Sequence, residues 1–172
     1  MRVESYILGL MFALLFAGNV FCQTFSVEGG VNYFLGNLQE EIENAPYFGA
    51  GFEFGLSDYT SGYLQGSYSY LHLKRNLDFK GLHQFIGRAG IEIFEIFGVG
   101  ISLAGVRGNS ATPQAENYML ASSESEFGWD FHFKLNIFKL KSWTFGTKLH
   151  YDIIWTKPKN SHLLQGGIFA GY

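Results

Sequence analysis

From Phe127 to Ile137 every second residue is Phe, Trp, Leu or Ile: Phe127, Trp129, Phe131, Phe133, Leu135 and Ile137. Between them stand Gly128, Asp130, His132, Lys134 and Asn136. The rhythm returns in Trp143, Phe145, Thr147, Leu149, Tyr151, Ile153 and Trp155, interleaved with Thr144, Gly146, Lys148, His150 and Asp152. A period of two excludes a helix and sends the two sets to opposite faces of a strand. One face is then apolar and aromatic, and the other carries full charges. Whatever sheet these strands join must present two different environments.

The same reading divides the rest of the chain. A first segment spans about Phe25–Leu35, with Phe25, Val27, Val31 and Tyr33 opposed to Glu28 and Asn32. A second, about Tyr47–Leu56, sets Phe48, Ala50, Phe52 and Phe54 against Gly49, Gly51 and Glu53. A third, about Gly62–Leu73, sets Leu64, Tyr68 and Tyr70 against Gln65, Ser67 and Ser69, although Leu71 and Leu73 break its parity. The fourth, about Phe79–Phe94, opposes Phe85, Ala89, Ile91 and Ile93 to Gln84, Arg88 and Glu92. The fifth, about Phe97–Val106, opposes Phe97, Val99, Ile101 and Leu103 to Gly98, Gly100 and Ser102. After the two segments quoted first, an eighth spans about Leu163–Tyr172, with Leu164, Ile168, Ala170 and Tyr172 against Gln165, Gly167 and Gly171. Long polar connections at 36–46, 72–78, 107–117 and 156–162 follow the odd-numbered segments, and short ones follow the even-numbered segments. Such an alternation predicts an up-and-down sheet with one elaborate end and one trimmed end.

Other classes fall away on composition. With 12 Lys+Arg against 15 Asp+Glu there is no basic footprint for nucleic acid. Cys22 is the one cysteine, so neither an internal disulfide nor a thiolate metal site is available. Hydrophobic residues at 47% and charged residues at 16% exclude a disordered chain. The apolar run Ile7–Phe21, preceded by Arg2, is short for a membrane helix and is followed by polar sequence from Gln23. It reads as a secretory signal peptide over residues 1–22, with cleavage after Cys22 or, alternatively, after Ala17 or Gly18. Val20 and Phe21 are too large for a lipoprotein signal before Cys22. The folded domain is expected over 23–172.

The side on which water lies follows from volume. Eight strands close around a lumen that side chains just fill. The Phe- and Trp-rich face is too bulky for that space, whereas the Gly-rich charged face suits it. The apolar face is therefore expected outward, in lipid, with aromatic girdles at the long-loop end (Tyr33, Tyr47, Phe48, Tyr70, Phe79, Trp155) and at the short-turn end (Phe97, Phe138, Trp143, Tyr172). The lumen then holds Glu28, Glu53, Arg88, Glu92, Asp130, His132, Lys134, Lys148, His150 and Asp152 as an ion-pair network that plugs it. A hairpin centred on Leu140 would place His132 opposite Lys148 and Asp130 opposite His150. A two-residue shift would place Lys134 opposite Lys148 and Asp130 opposite Asp152, which the repulsion of directly opposed like charges argues against.

On these residues the chain resembles the small eight-stranded outer-membrane barrels of the OmpA transmembrane-domain and OmpX type, over its whole length after residue 22. In that family the last strand carries a signal for the barrel assembly machinery: a polar residue, a Gly two later, then hydrophobic residues ending in an aromatic. Gln165, Gly167, Ala170 and Tyr172 follow that spacing, with Ala170 a small residue for its slot. The resemblance implies the outer membrane of a Gram-negative bacterium, with membrane lipid and lipopolysaccharide as surroundings. No peptidoglycan-binding domain follows in the sequence, so anchoring to the cell wall is not implied.

Chemistry is sparse by comparison. Asp130 and His150 would supply two parts of a hydrolytic triad, but inside the lumen and away from lipid. His72, His83 and His162, the last beside Ser161 in a long connection, have no acid near them in sequence. His132 and His150 lack a visible third metal ligand. The expectation is a protein without enzymatic activity, metal or cofactor. Its contacts would lie in the long loops, where Glu40, Glu41 and Glu43 make an acidic patch and Lys74, Arg75, Lys157 and Lys159 basic ones. The competing readings are a narrow channel, a lipid-modifying enzyme and a lipocalin-like carrier.

Overall fold

In the computed structural model the described residues are 22–36, 38–74, 79–110, 124–155 and 160–172. The expected signal peptide, apart from Cys22, lies outside them, as do 111–123, 156–159, Arg75 and the basic pair Lys157 and Lys159. The strands are β1 (Cys22–Leu35), β2 (Ala45–Ser57), β3 (Thr60–Leu71), β4 (Phe79–Ile93), β5 (Phe97–Ser110), β6 (Glu124–Leu140), β7 (Trp143–Ile154) and β8 (Ser161–Gly171). A single helical turn, α1 (Leu38–Glu41), lies between β1 and β2. Each strand pairs antiparallel with the next, and β8 returns to β1, so the barrel closes. Closure leaves no sheet edge with unpaired backbone.

The two faces divide as the alternation requires. Apart from Tyr47, none of the described side chains expected on the outer face is buried, while Asn32, Arg88, Glu92, Asp130, His132, Lys134, Lys148, His150 and Asp152 all are. The lower girdle forms: Phe97, Phe138, Trp143 and Tyr172 are exposed, and the rings of Trp143 and Tyr172 lie 5.4 Å apart. Tyr47 departs from its expected place. It is 4% exposed and faces the lumen. Gly30 and Gly167 make this possible, since they pair with each other and Gly30 also pairs with Tyr47.

The β6–β7 register also differs from the expected one. The turn falls at Lys141 and Ser142, beyond Leu140, and a bulge between Asn136 and Phe138 sets the pairing above it. Asp130 therefore lies opposite Asp152, His132 opposite His150, and Lys134 opposite Lys148. Opposed like charges persist because counter-charges arrive from strands across the lumen rather than from the neighbouring strand.

At the long-loop end the lumen changes character. Phe34, Ala45, Leu71, Leu82, Ile154 and Leu163 point inward and are buried together with Ile42. Ile42 comes from the β1–β2 connection and bridges to Leu73. These residues form an apolar plug, and the parity break at Leu71 and Leu73 is its trace in the sequence. At the opposite end a pocket of about 180 Å³ remains, lined by Ser26, Glu53, Lys134, Asn136, Lys139 and Thr144 among others.

The β1–β8 seam tolerates no side chain at one point. A Cβ on Gly30 would stand 2.0 Å from the Gly166 carbonyl oxygen and 2.5 Å from Gly167 Cα. At Gly66 and Gly87, on the outer face, a Cβ would meet nothing within 4 Å. Gly30→Val is thus expected to cost at least about 1–3 kcal/mol by overpacking and to reduce the folded, heat-shifted band on unboiled gels. Gly87→Val leaves that band at the wild-type level.

Candidate functional site

The ionisable residues of the lumen stack in layers along the barrel axis, and each layer satisfies the next. Beneath the apolar plug lies an amide layer. Asn32 Nδ2 donates to Ser69 Oγ at 2.9 Å, Ser69 donates to Gln84 Oε1 at 3.0 Å, and Gln165 Nε2 donates to Asn32 Oδ1 at 2.6 Å.

Arg88 occupies the next layer. Its Nε and Nη2 donate to the two carboxylate oxygens of Asp152 at 3.1 and 2.6 Å, and its Nη1 donates to Ser67 Oγ at 3.0 Å. Nη2 also donates to Gln165. The Arg88 Nε is 3.5 Å from Asp130 Oδ1, so one guanidinium stands between the two opposed aspartates. A planar fork suits that role better than an ammonium would. Asp130 in turn accepts from Tyr63 O–H at 2.6 Å and from His150 Nδ1 at 2.9 Å. The Tyr63 ring fits because Gly90 and Gly100 leave it room; a Cβ at either would come within 2.7 and 2.4 Å of its hydroxyl.

Below this, His132 Nε2 donates to Glu92 Oε2 at 2.7 Å, and His132 Nδ1 is 3.5 Å from Asp130 Oδ2. Lys134 Nζ reaches Glu92 Oε1 at 2.6 Å and Glu53 Oε2 at 2.8 Å. Lys148 Nζ stands 3.9 Å from Glu53 Oε1. Glu28 accepts from Gln65 Nε2 and lies 3.8 Å from His150 Nε2. Thus Glu53 of β2 and Glu92 of β4 separate the two opposed lysines, as Arg88 separates the two aspartates.

All ten residues expected in the lumen are brought together there. Three contributors were not anticipated as parts of the network: Tyr63, the amide layer as a unit, and the apolar plug. Tyr63 shares strand parity with Gln65, Ser67 and Ser69, which is the signal that could have found it.

Asp130, His132 and His150 each bring a donor atom to within 4.8 Å of the others, so Asp130 is the third ligand-type group that the sequence did not reveal. Asp130 Oδ2, His132 Nε2 and His150 Nδ1 are engaged by Tyr63, Glu92 and Asp130, whereas His150 Nε2 has no hydrogen-bond partner and stands 3.8 Å from Glu28 Oε2. A cation placed there would also face the Arg88 guanidinium next to Asp130. The Asp130–His150 pair has acid–base geometry, but both side chains are at 0% exposure and meet no substrate in this conformation. His162 is not in a loop: it is the second residue of β8, on the outer face, where its Nδ1 and Tyr151 Oη are hydrogen-bonded at 2.8 Å. At the C-terminus Gln165 is inside the lumen, Gly167 is on the same face, and Ala170 and Tyr172 face outward. The Tyr172 backbone exchanges hydrogen bonds of 2.8 and 2.9 Å with Phe25.

A closed eight-stranded antiparallel barrel, apolar outside and charged within, has the fold of the small outer-membrane barrel proteins. Among solved structures it is similar to the outer membrane protein OprG from Pseudomonas aeruginosa, with a TM-score of 0.55 and 12% identity over 88% of this chain and 96% of that one. It is also similar to the Yersinia pestis outer membrane protein Ail in a phospholipid bilayer nanodisc, with a TM-score of 0.51 and 10% identity over 87% and 99% of the two chains. No family model and no curated protein matches the sequence. At such identities the likeness is one of fold.

Removing the Arg88 charge would leave Asp130 and Asp152 facing each other without a counter-ion. Arg88→Leu is expected to destabilise the barrel by about 3–5 kcal/mol, read as a lower urea midpoint of the lipid-refolded protein. Adding Asp152→Asn restores part of the loss.

Proposed function

We propose that the protein is a β-barrel of a Gram-negative outer membrane that performs no catalysis and serves a structural or interaction role. Envelope integrity, adhesion or partner docking through the connections at 36–46, 72–78, 107–117 and 156–162 is the work assigned to it. The observation that carries this reading is the inversion of the faces. The outer face of the barrel is aromatic and aliphatic around its circumference, and among the described strand side chains the charges other than Arg107, near the long-loop end, are gathered inside. Water is a poor solvent for such an exterior, whereas hydrocarbon accepts a closed barrel because every strand of it finds its backbone partners within the sheet. Support for a closed lumen comes from the plug of Phe34, Ile42, Leu71, Leu82, Ile154 and Leu163, followed by Arg88 and the paired carboxylates. In this reading Gln165, Gly167, Ala170 and Tyr172 are what the assembly machinery recognises.

Single-channel recording in planar lipid bilayers tests the closed lumen. The wild-type barrel is expected to give no resolved conductance steps. Regular steps would replace this reading with that of a narrow channel. Membrane placement is tested by Phe131→Arg, because Phe131 is 43% exposed at the middle of β6. An arginine facing mid-bilayer lipid costs about 2–4 kcal/mol, so the variant should be depleted from the outer-membrane fraction relative to wild type. An undiminished level would mean that this face does not meet lipid.

A further inference from the structure

Among the described side chains on the outer face of the strands, the charged or imidazole groups are His83, Arg107 and His162. All of them stand near the long-loop end, and no carboxylate accompanies them on that face. Of the acids described at this end, Glu40 and Glu43 belong to the β1–β2 connection, and Glu126 of β6 pairs with the buried Ala104, on the lumen face. Tyr70, His83 and Arg107 lie in one row across β3, β4 and β5, Tyr70 paired with His83 and His83 with Arg107. Tyr68 Oη and His83 Nδ1 are hydrogen-bonded at 2.9 Å, so Nε2 is the ring nitrogen left to meet a further partner. The ring of Tyr70 packs at 5.1 Å against His83 and at 5.0 Å against His72. The imidazole is therefore held in place beside an exposed guanidinium.

The surface below this row is apolar and then thin. Phe48, Tyr68 and Phe85 form an aromatic row, with ring centroids 5.4 and 4.9 Å apart. Next comes the row Ala50, Gly66 and Gly87, in which the glycines have nothing within 4 Å of a built Cβ. Nitrogen donors at the rim, aromatic rings beneath them and a shallow trough beneath those are ordered as a phosphorylated lipid is ordered, from headgroup to acyl chain.

We propose that the row Tyr70–His83–Arg107 is a binding site for the phosphate of an outer-leaflet glycolipid headgroup, with Arg107 and His83 as donors to the phosphate oxygens. Guanidinium and imidazole donors to phosphate make short charge-assisted hydrogen bonds, and an apolar surround strengthens them. The proposal rests on the outer-membrane reading above. An internal control is present in the molecule. The pair Tyr151–His162 repeats the Tyr–His hydrogen bond, but its row neighbour on β1 is Leu35 instead of an arginine.

The test is native mass spectrometry of the refolded full-length barrel offered diphosphorylated lipid A, the same lipid A with its phosphates removed, and inorganic phosphate. Wild type is expected to retain the phosphorylated lipid at least roughly tenfold better than the dephosphorylated one, the factor that a single good charge-assisted bond supplies. Arg107→Gln with His83→Gln should abolish that preference, and His162→Gln should leave it unchanged. Millimolar inorganic phosphate should not displace the lipid, since it lacks the acyl chains. Equal retention of the two lipids by wild type, an unchanged preference in the double variant, or displacement by free phosphate would overturn the proposal. A heat-shifted band on unboiled gels separates the two readings. A folded, lipid-inserted barrel without the preference sinks this site alone, whereas a protein that does not enter lipid sinks the membrane reading itself.

Discussion

The molecule turns on the need to neutralise charge inside a space too narrow for water to do it. Moving a carboxylate or ammonium from water into a low-dielectric interior costs several kcal/mol per ion even after relaxation. Here Glu28, Glu53, Glu92, Asp130 and Asp152 share a lumen with Arg88, Lys134 and Lys148. Acids outnumber permanent cations, and the two imidazoles lie against the carboxylates that remain. Nearly every residue in the set serves two partners. Arg88 reaches Asp152, Asp130, Ser67 and Gln165, and Lys134 reaches Glu53 and Glu92. A lumen joined in this way ties β1, β2, β3, β4, β6, β7 and β8 across the barrel axis. The neighbour-to-neighbour ladder of the sheet does not supply such ties.

That cross-linking explains why the hairpin of β6 and β7 could be misread. Considered as an isolated pair, Asp130 against Asp152 and Lys134 against Lys148 are repulsive. Inside a barrel the relevant neighbours include residues from the far wall. Glu92 lies on β4 and Glu53 on β2, at sequence separations that no local pattern reveals. The strands themselves, their order and their two faces were legible because period-two alternation is a local property. So was the membership of the lumen set, since parity alone decides it. Which acid meets which base was not legible, because it depends on closure. The plug was half visible: Leu71 and Leu73 looked like a flaw in a strand, yet they mark where the lumen turns from charged to apolar. Tyr47 was misplaced because an aromatic at a strand end suggests a girdle. The space that admits it comes from Gly30 and Gly167 on two other strands.

The two ends of the barrel differ in kind. At the short-turn end Glu53, Lys134, Asn136 and Lys139 line an open pocket that enters the charged layers from one side only. At the long-loop end Ile42 folds back over Phe34, Leu82 and Leu163, and Lys74 Nζ donates to Gln39 O at 2.6 Å across two connections. The backbone N–H of Glu43 donates to His72 O at 2.9 Å, tying the same two connections. The described parts of the first and second long connections are therefore fastened to each other and to the plug, so the rim on that side has a shape set by packing.

A rigid interior and a fastened rim direct the search for activity to the outer surface. Arg88 and Asp130, each held by four partners, cannot exchange them for a passing ligand without leaving a charge unpaired in the lumen, at a cost of about 3–5 kcal/mol. The groups at liberty to engage something else are those at the boundary between the apolar belt and the loops. There Arg107 is exposed, and His83 is half-exposed between the phenols of Tyr68 and Tyr70. The same force that drives charge off the belt and into the lumen leaves those few polar groups at the rim, where the apolar belt gives way to the loops. On physical grounds the position of Arg107 and His83 is thus a consequence of the barrel's inversion, not an addition to it.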